Sequence, residues 1–246
     1  MNIREEINKI KDRPDHLTVS QVMDTFERYQ RTGRSSCSKF LNDRELGLVE
    51  GFLKKHQIEY HVKKLSPVCE KSIVYFGEYE DFISVFYIKN KNIKHKDVLG
   101  ALFSIGYNAK MIGDIFIQNG VYITNLRLYD PVLESSLFKI GKYRVELDKI
   151  DELPEVKMDF SYIELYLNST RLDLIISHLA HISRSEAIDY IRRHCICINY
   201  KEVEKLETNL HEGDVLSIEK VGKFKVVKEE KLEKKDKVLI GLERYL

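Results

Sequence analysis

The chain has 246 residues, 43% of them hydrophobic and 32% charged, a balance that supplies a core and excludes a disordered polyelectrolyte. Lys plus Arg number 40 and Asp plus Glu 39, so the net charge of +1 excludes a globally basic, histone-like binder, and any polyanion has to be met by local clustering. No apolar run approaches the ~18 residues of a membrane span. The start Met1-Asn2-Ile3-Arg4 carries no apolar leader, and the 4 cysteines without a CxxC pair fit a reducing compartment, so a cytoplasmic location is expected. Walker, GxGxxG, HExxH and GxSxG patterns are absent, which removes several common enzyme classes.

Residues 1–70 read as a helical region. Ile3, Ile7 and Ile10 recur at helical spacing before Pro14, and Val19, Val22, Met23 and Phe26 form an amphipathic stripe. A third helix starts at Asn42, with Asp43 and Glu45 in its first turn and Leu46, Val49 and Leu53 facing inward. Between these helices Arg28, Arg31, Arg34 and Lys39 run without an acid, either as a solvated loop or as a phosphate-contacting arm.

Residues 71–155 predict a ferredoxin-like βαββαβ domain. A strand at Phe82–Ile88 precedes a helix at His95–Ile105. Strands at Ile115–Gln118 and Val121–Thr124 flank the hairpin signal Asn119-Gly120. A helix over Pro131–Phe138 and an alternating strand over Tyr143–Leu147 complete the pattern. The loop entering the first of these helices holds Lys89, Lys91, Lys94, His95 and Lys96. Lys94, His95 and Lys96 are candidate RNA contacts, with a solvated loop as the equal alternative.

Pro154 and the segment Val156-Lys157-Met158-Asp159 mark a boundary before the last module, residues 161–246, so the fold class is α+β with three modules. In that module Arg171-Leu172-Asp173 opens a helix, with Thr170 as its cap and Asp173 as reciprocal partner. Leu172, Ile175, Ile176 and Leu179 form its buried stripe. Ser183-Arg184-Ser185-Glu186 is a second capping box, and the helix it starts runs to about His194. The short link between the two helices makes a compact corner. Strands follow at Cys195–Ile198 and Asp214–Ile218, with a turn at Asn199-Tyr200-Lys201. The tail from Lys223 to Arg244 reads as a final strand and helix. Arg184 lies where the helix dipole is positive, a placement unfavourable by about 0.3–1 kcal/mol that an anionic partner reverses. Contact with RNA is the favoured reading, and pairing with Asp173, Glu186 or Asp189 the structural alternative. His178 with His181, and His194 with Cys195 and Cys197, make a weak metal pattern without a second ligand pair, so no metal and no cofactor are expected.

The spaced elements Arg171-Leu172-Asp173, Ser183-Arg184-Ser185-Glu186-Ala187, Ile191-Arg192, Ile196-x-Ile198-Asn199 and Gly213-Asp214-Val215 resemble the αL RNA-binding domain of ribosomal protein S-four. The resemblance implies RNA contacts at Arg171, Ser183, Arg184, Arg192, Arg193, Asn199 and Lys201. Where that family often has glycine, this chain has His194 and Tyr200.

Over most of its length the chain resembles the YlmH-type proteins of Gram-positive bacteria, through Phe40-Leu41-Asn42-Asp43-Arg44-Glu45, His95-Lys96-Asp97-Val98-Leu99-Gly100-Ala101-Leu102, Gly106, Ile112-Gly113-Asp114-Ile115 and Ile140-Gly141. It departs from them near Cys69-Glu70-Lys71 and at Asn108-Ala109. The resemblance implies a non-enzymatic RNA-binding factor on the large ribosomal subunit, engaging ribosomal RNA and peptidyl-tRNA in quality control of stalled translation. It also implies an association with a cell-division gene neighbourhood, and neither a membrane nor a small-molecule substrate. The alternative is an RNA-modifying enzyme such as a pseudouridine synthase, with Asp173 as its catalytic aspartate.

Overall fold

The computed structural model describes residues 3–156, 160–203, 205–232 and 237–245. The chain divides into two compact units, Met1–Lys157 and Met158–Leu246. Most of the expected boundary at Val156-Lys157-Met158-Asp159 lies outside the described residues. No helix among the described residues is long and apolar enough to cross a membrane.

In the first unit lie helices α1 (Ile3–Ile7), α2 (Arg13–Thr32) and α3 (Asp43–Lys55), and the last two begin where a side chain satisfies a free N–H group. Asp12 accepts from the Asp15 N–H at the start of α2, and Gly33 ends that helix at φ 66°. Asn42 and Glu45 exchange the two bonds of a capping box ahead of α3. The region is not wholly helical, however. The strand Lys71–Phe76 pairs antiparallel with Ser36–Cys37, Leu41–Asn42 and His61–Lys63. Lys71–Phe76, expected with the central module, thus pairs with the amino-terminal segments. These partner strands are two or three residues long, too short for alternation to announce them.

The second sheet of this unit runs, in spatial order, Asp148–Ile150, Ile83–Ile88, Val121–Leu126, Ile112–Ile117, with every neighbour antiparallel. Helices α4 (His95–Ser104) and α5 (Asp130–Ser136) make its connections. The succession is therefore strand, helix, strand, strand, helix, strand. One strand differs from expectation. Tyr143–Arg144 pairs with Lys139–Ile140 in a small separate hairpin, and the sheet's last strand is Asp148–Ile150. Gly141, at φ 57°, allows that tight local turn, so the chain reaches the sheet edge only afterwards.

The two sheets share apolar contacts among Phe40, Ile73, Ile83 and Leu126. Polar bonds cross as well. Asp114 accepts from the N–H groups of Glu70 (2.9 Å) and Lys71 (3.3 Å), and Lys110 reaches Glu45 at 3.0 Å. Burial raises the Asp114 carboxyl above its ordinary value, and those N–H donors and the nearby Lys71 ammonium oppose the rise. A Cβ at Gly113 would overlap Thr124 and stand 2.8 Å from the Phe40 ring, so this junction tolerates glycine alone.

The second unit is a six-stranded antiparallel sheet, ordered Phe160–Leu167, Lys237–Tyr245, Gly222–Leu232, Val215–Ile218, Ile196–Ile198, Lys201–Glu202. Helices α6 (Leu172–Ala180) and α7 (Arg184–Arg192) contribute Leu172, Ile175, Ile176, Ala187 and Ile191 to its core, against Leu216, Phe224, Ile240 and Leu242. The tail forms two long paired strands rather than a strand and a helix. Lys223 and Lys225 alternate with the buried Phe224 and Val226, while Leu239–Leu242 is buried throughout, an arrangement that only pairing across Gly222–Leu232 and Lys237–Tyr245 makes coherent.

Candidate nucleic-acid interface

Asp173 organises the start of both helices in the second unit. It is 1% exposed, and each of its oxygens takes an arginine: Oδ1 accepts from Arg171 Nε at 3.1 Å, and Oδ2 accepts from Arg184 Nη2 at 2.6 Å and Nε at 3.2 Å. Thr170 is not the cap. Arg171 occupies the cap position of α6 without a side-chain cap bond, because its guanidinium has no acceptor to offer the helix N–H groups, and it turns to the Asp173 carboxylate instead. Burial alone would raise the Asp173 carboxyl, but the hydrogen bonds from Arg171 and Arg184 outweigh it and hold the group below its ordinary range. Arg184 thus has an internal carboxylate partner eleven residues away, which answers the local dipole conflict. It is nevertheless not shielded: 56% of the Arg184 side chain and 41% of Arg171 remain exposed. Three charges sum to +1, with both cations on the surface and the anion beneath them.

Ser183 forms the capping box of α7. Its backbone N–H donates to Glu186 Oε2 at 2.8 Å, and its hydroxyl oxygen accepts from the Glu186 N–H at 3.2 Å. Arg192 and Arg193 lie at the opposite end of this nine-residue helix, exposed, with Arg192 3.7 Å from Asp189. Asn199 is spent on structure. Its side-chain amide donates to Asp214 at 2.7 Å and its carbonyl accepts from the Val215 N–H at 2.9 Å. Lys201 is exposed just beyond the turn. The turn has the conformation that glycine would favour: Asn199 and Tyr200 stand at φ 50° and 62°, and His194 at φ 56°.

Lys223 explains how Tyr200 is held there. Its ammonium lies 4.6 Å from the Tyr200 ring centroid and 4.9 Å from that of Tyr245, and donates to the Tyr200 hydroxyl at 3.1 Å. Neither Lys223 nor Tyr245 stands out in the sequence, since they join Tyr200 only through sheet pairing.

In the first unit, Lys94, His95 and Lys96 are all exposed at the entry to α4, where Asp97 accepts weakly from the Lys94 N–H at 3.4 Å. Their placement brings the three together around one helix start, as expected from adjacency. The two groups of candidates lie in different units. Among the described residues no group of three or more His, Cys, Asp or Glu side chains could hold a metal ion.

Residues 79–153 match the family described as "Putative RNA-binding domain in YlmH". The chain is 30% identical over 156 residues to "Ribosome-associated protein quality control protein P2" of Bacillus subtilis (strain 168). That alignment covers 62% of this chain and 61% of the relative's length. Among solved structures, "Cell division protein ylmH from Streptococcus pneumoniae" is similar, with 16% identity and a TM-score of 0.47 over 56% of this chain and 92% of that one.

Proposed function

Taking a YlmH-type protein as the premise, we propose that this chain is a non-enzymatic RNA-binding factor of the cytoplasm that acts on the large ribosomal subunit, engaging ribosomal RNA and peptidyl-tRNA when translation stalls. The carrying observation is the pair Arg171 and Arg184, oriented by one buried carboxylate and exposed at two adjoining helix starts. Such guanidiniums meet phosphates with little loss of side-chain freedom, because Asp173 already holds them. In this reading residues 161–246 act as an αL module. Ser183 and Asn199 shape its surface, and Arg192, Arg193 and Lys201 widen the basic face. Residues 79–153 add a second, modest contact, and the two gain by acting on one large RNA. A near-neutral chain binds this way only through placement of cations, so affinity falls steeply with salt.

The test is co-sedimentation with purified large subunits. Arg184→Gln removes a proposed contact but also strips Asp173 of one partner. The double variant Arg192→Gln/Arg193→Gln touches no buried group. Both should release the protein at moderate salt. Undiminished co-sedimentation of both variants would refute the proposal.

A further inference from the structure

The central domain carries an exposed aromatic ring set among cations that have no partner of their own. Phe138 is 63% exposed, although it directly follows Leu137, which is 2% exposed, and nearly adjoins the fully buried Ile140. Its backbone is fixed: the Phe138 carbonyl accepts from the Val145 N–H at 3.0 Å, next to the hairpin of Lys139–Ile140 and Tyr143–Arg144. The ring and Lys139 together form a ridge shared by two open grooves. One, of about 770 Å³, is lined by Lys89 and Arg144 as well. The other, of about 580 Å³, is lined by Lys96 and Gly100 of the first turns of α4.

The hairpin register places Lys139 directly opposite Arg144. Like charges facing across two strands are destabilising unless an anion lies between them. Among the described residues, Lys89, Lys96, Lys139 and Arg144 form no ion pair, although Glu146 and Asp148 line the first groove and Asp97 the second. Each groove keeps one net positive charge. A rigid, flat, apolar face flanked on both sides by unpaired cations fits a nucleotide chain, whose base has an apolar face and whose neighbouring phosphates are anionic.

We propose that Phe138 is a stacking platform for an unpaired base of single-stranded RNA, with Lys139 and Arg144 on one flanking phosphate and Lys89 and Lys96 along the two grooves. This rests on the RNA-binding reading above and adds to it a strand preference and a residue that the basic loop alone does not supply. A paired duplex keeps its bases stacked on one another and offers Phe138 none.

The full chain is titrated with a labelled short oligouridylate and, separately, with a blunt, fully paired RNA duplex. Phe138→Ala should weaken oligouridylate binding about ten-fold, leave the duplex unaffected, and be rescued by Phe138→Trp. Lys139→Gln/Arg144→Gln should flatten the salt dependence for the single strand by a slope of about 0.7, one phosphate's worth. Ultraviolet cross-linking should attach uridine to the peptide that contains Phe138. If Phe138→Ala binds oligouridylate as the parent does while the parent binds both RNAs, the stacking site is wrong and the RNA-binding reading stands. If Phe138→Ala weakens both RNAs equally, the base-stacking role is likewise refuted. If the parent binds neither RNA nor large subunits, both fall together.

Discussion

At the scale of single residues, Asp173 shows how a site and a fold can share one group. The same carboxylate that orients Arg171 and Arg184 is itself buried, so its charge is tolerated only while they stay. With a folded value depressed below the ordinary 3.8, its contribution to stability is complete above that ordinary value and disappears as pH falls through the depressed one. Asp173→Asn should therefore destabilise the second unit by about 1–3 kcal/mol at pH 7. Urea unfolding should show that gap closing at strongly acidic pH, where the parent carboxyl is protonated too. A gap unchanged by acid would mean that Asp173 acts through shape rather than charge. The motif Arg171-Leu172-Asp173 was readable as a helix start, and pairing of Arg184 with Asp173 was one of three alternatives, which only the arrival of the next helix decides.

At the scale of elements, turns decide more than helices. The Ser183–Glu186 capping box and the Asn42 cap were legible because each closes within one turn, whereas the box expected at Thr170 and Asp173 does not form, Asp173 being taken by two arginines. Asn119-Gly120 likewise announced its hairpin, with φ 54° and 151°. The αL resemblance marked His194 and Tyr200 as standing where glycine is common, and the structure places both at positive φ. His194 is 57% exposed with only a 3.4 Å approach to Glu202, so its backbone angle dominates its contribution. His194→Gly should keep or raise the thermal stability of this unit, whereas His194→Val should lower it by about 1–2 kcal/mol. Circular dichroism melts separate the cases, and an equal fall in both variants would assign the cost to the lost imidazole. The hairpin at Lys139–Arg144 is the counterexample. Alternation at Tyr143, Val145 and Leu147 suggested a sheet strand, but alternation does not name the partner strand.

At the scale of the whole molecule, the amino-terminal helices and the central sheet are one body, because Phe40, Ile73, Ile83 and Leu126 pack together between them. Phe40→Ala should cost about 3–5 kcal/mol and reduce amide-exchange protection in α2 and in Val121–Leu126 together. Loss confined to one of the two would show that they unfold independently. Several of the residues behind the YlmH resemblance hold the first unit together. Phe40 is in the shared core, Arg44 grips Asp15 at 2.6 Å, and Gly113 and Asp114 lie where the two sheets meet. A run of such residues marks an arrangement as much as an activity.

What the sequence determined by itself is whatever closes within a few residues: the capped helix starts, the apolar stripes of α2, α3 and α6, the Asn-Gly hairpin and the exposed lysines before α4. Those features depend on bonds between positions three or four apart, and no distant segment is needed to form them. Only the tertiary structure decided that Lys71–Phe76 pairs with amino-terminal strands, that the tail folds into two long strands, that Arg184 meets Asp173 and that Phe138 stays uncovered. Each of these depends on which far segment arrives alongside, and a residue's partners across a sheet or between helices are set by packing of the whole chain rather than by its neighbours in sequence.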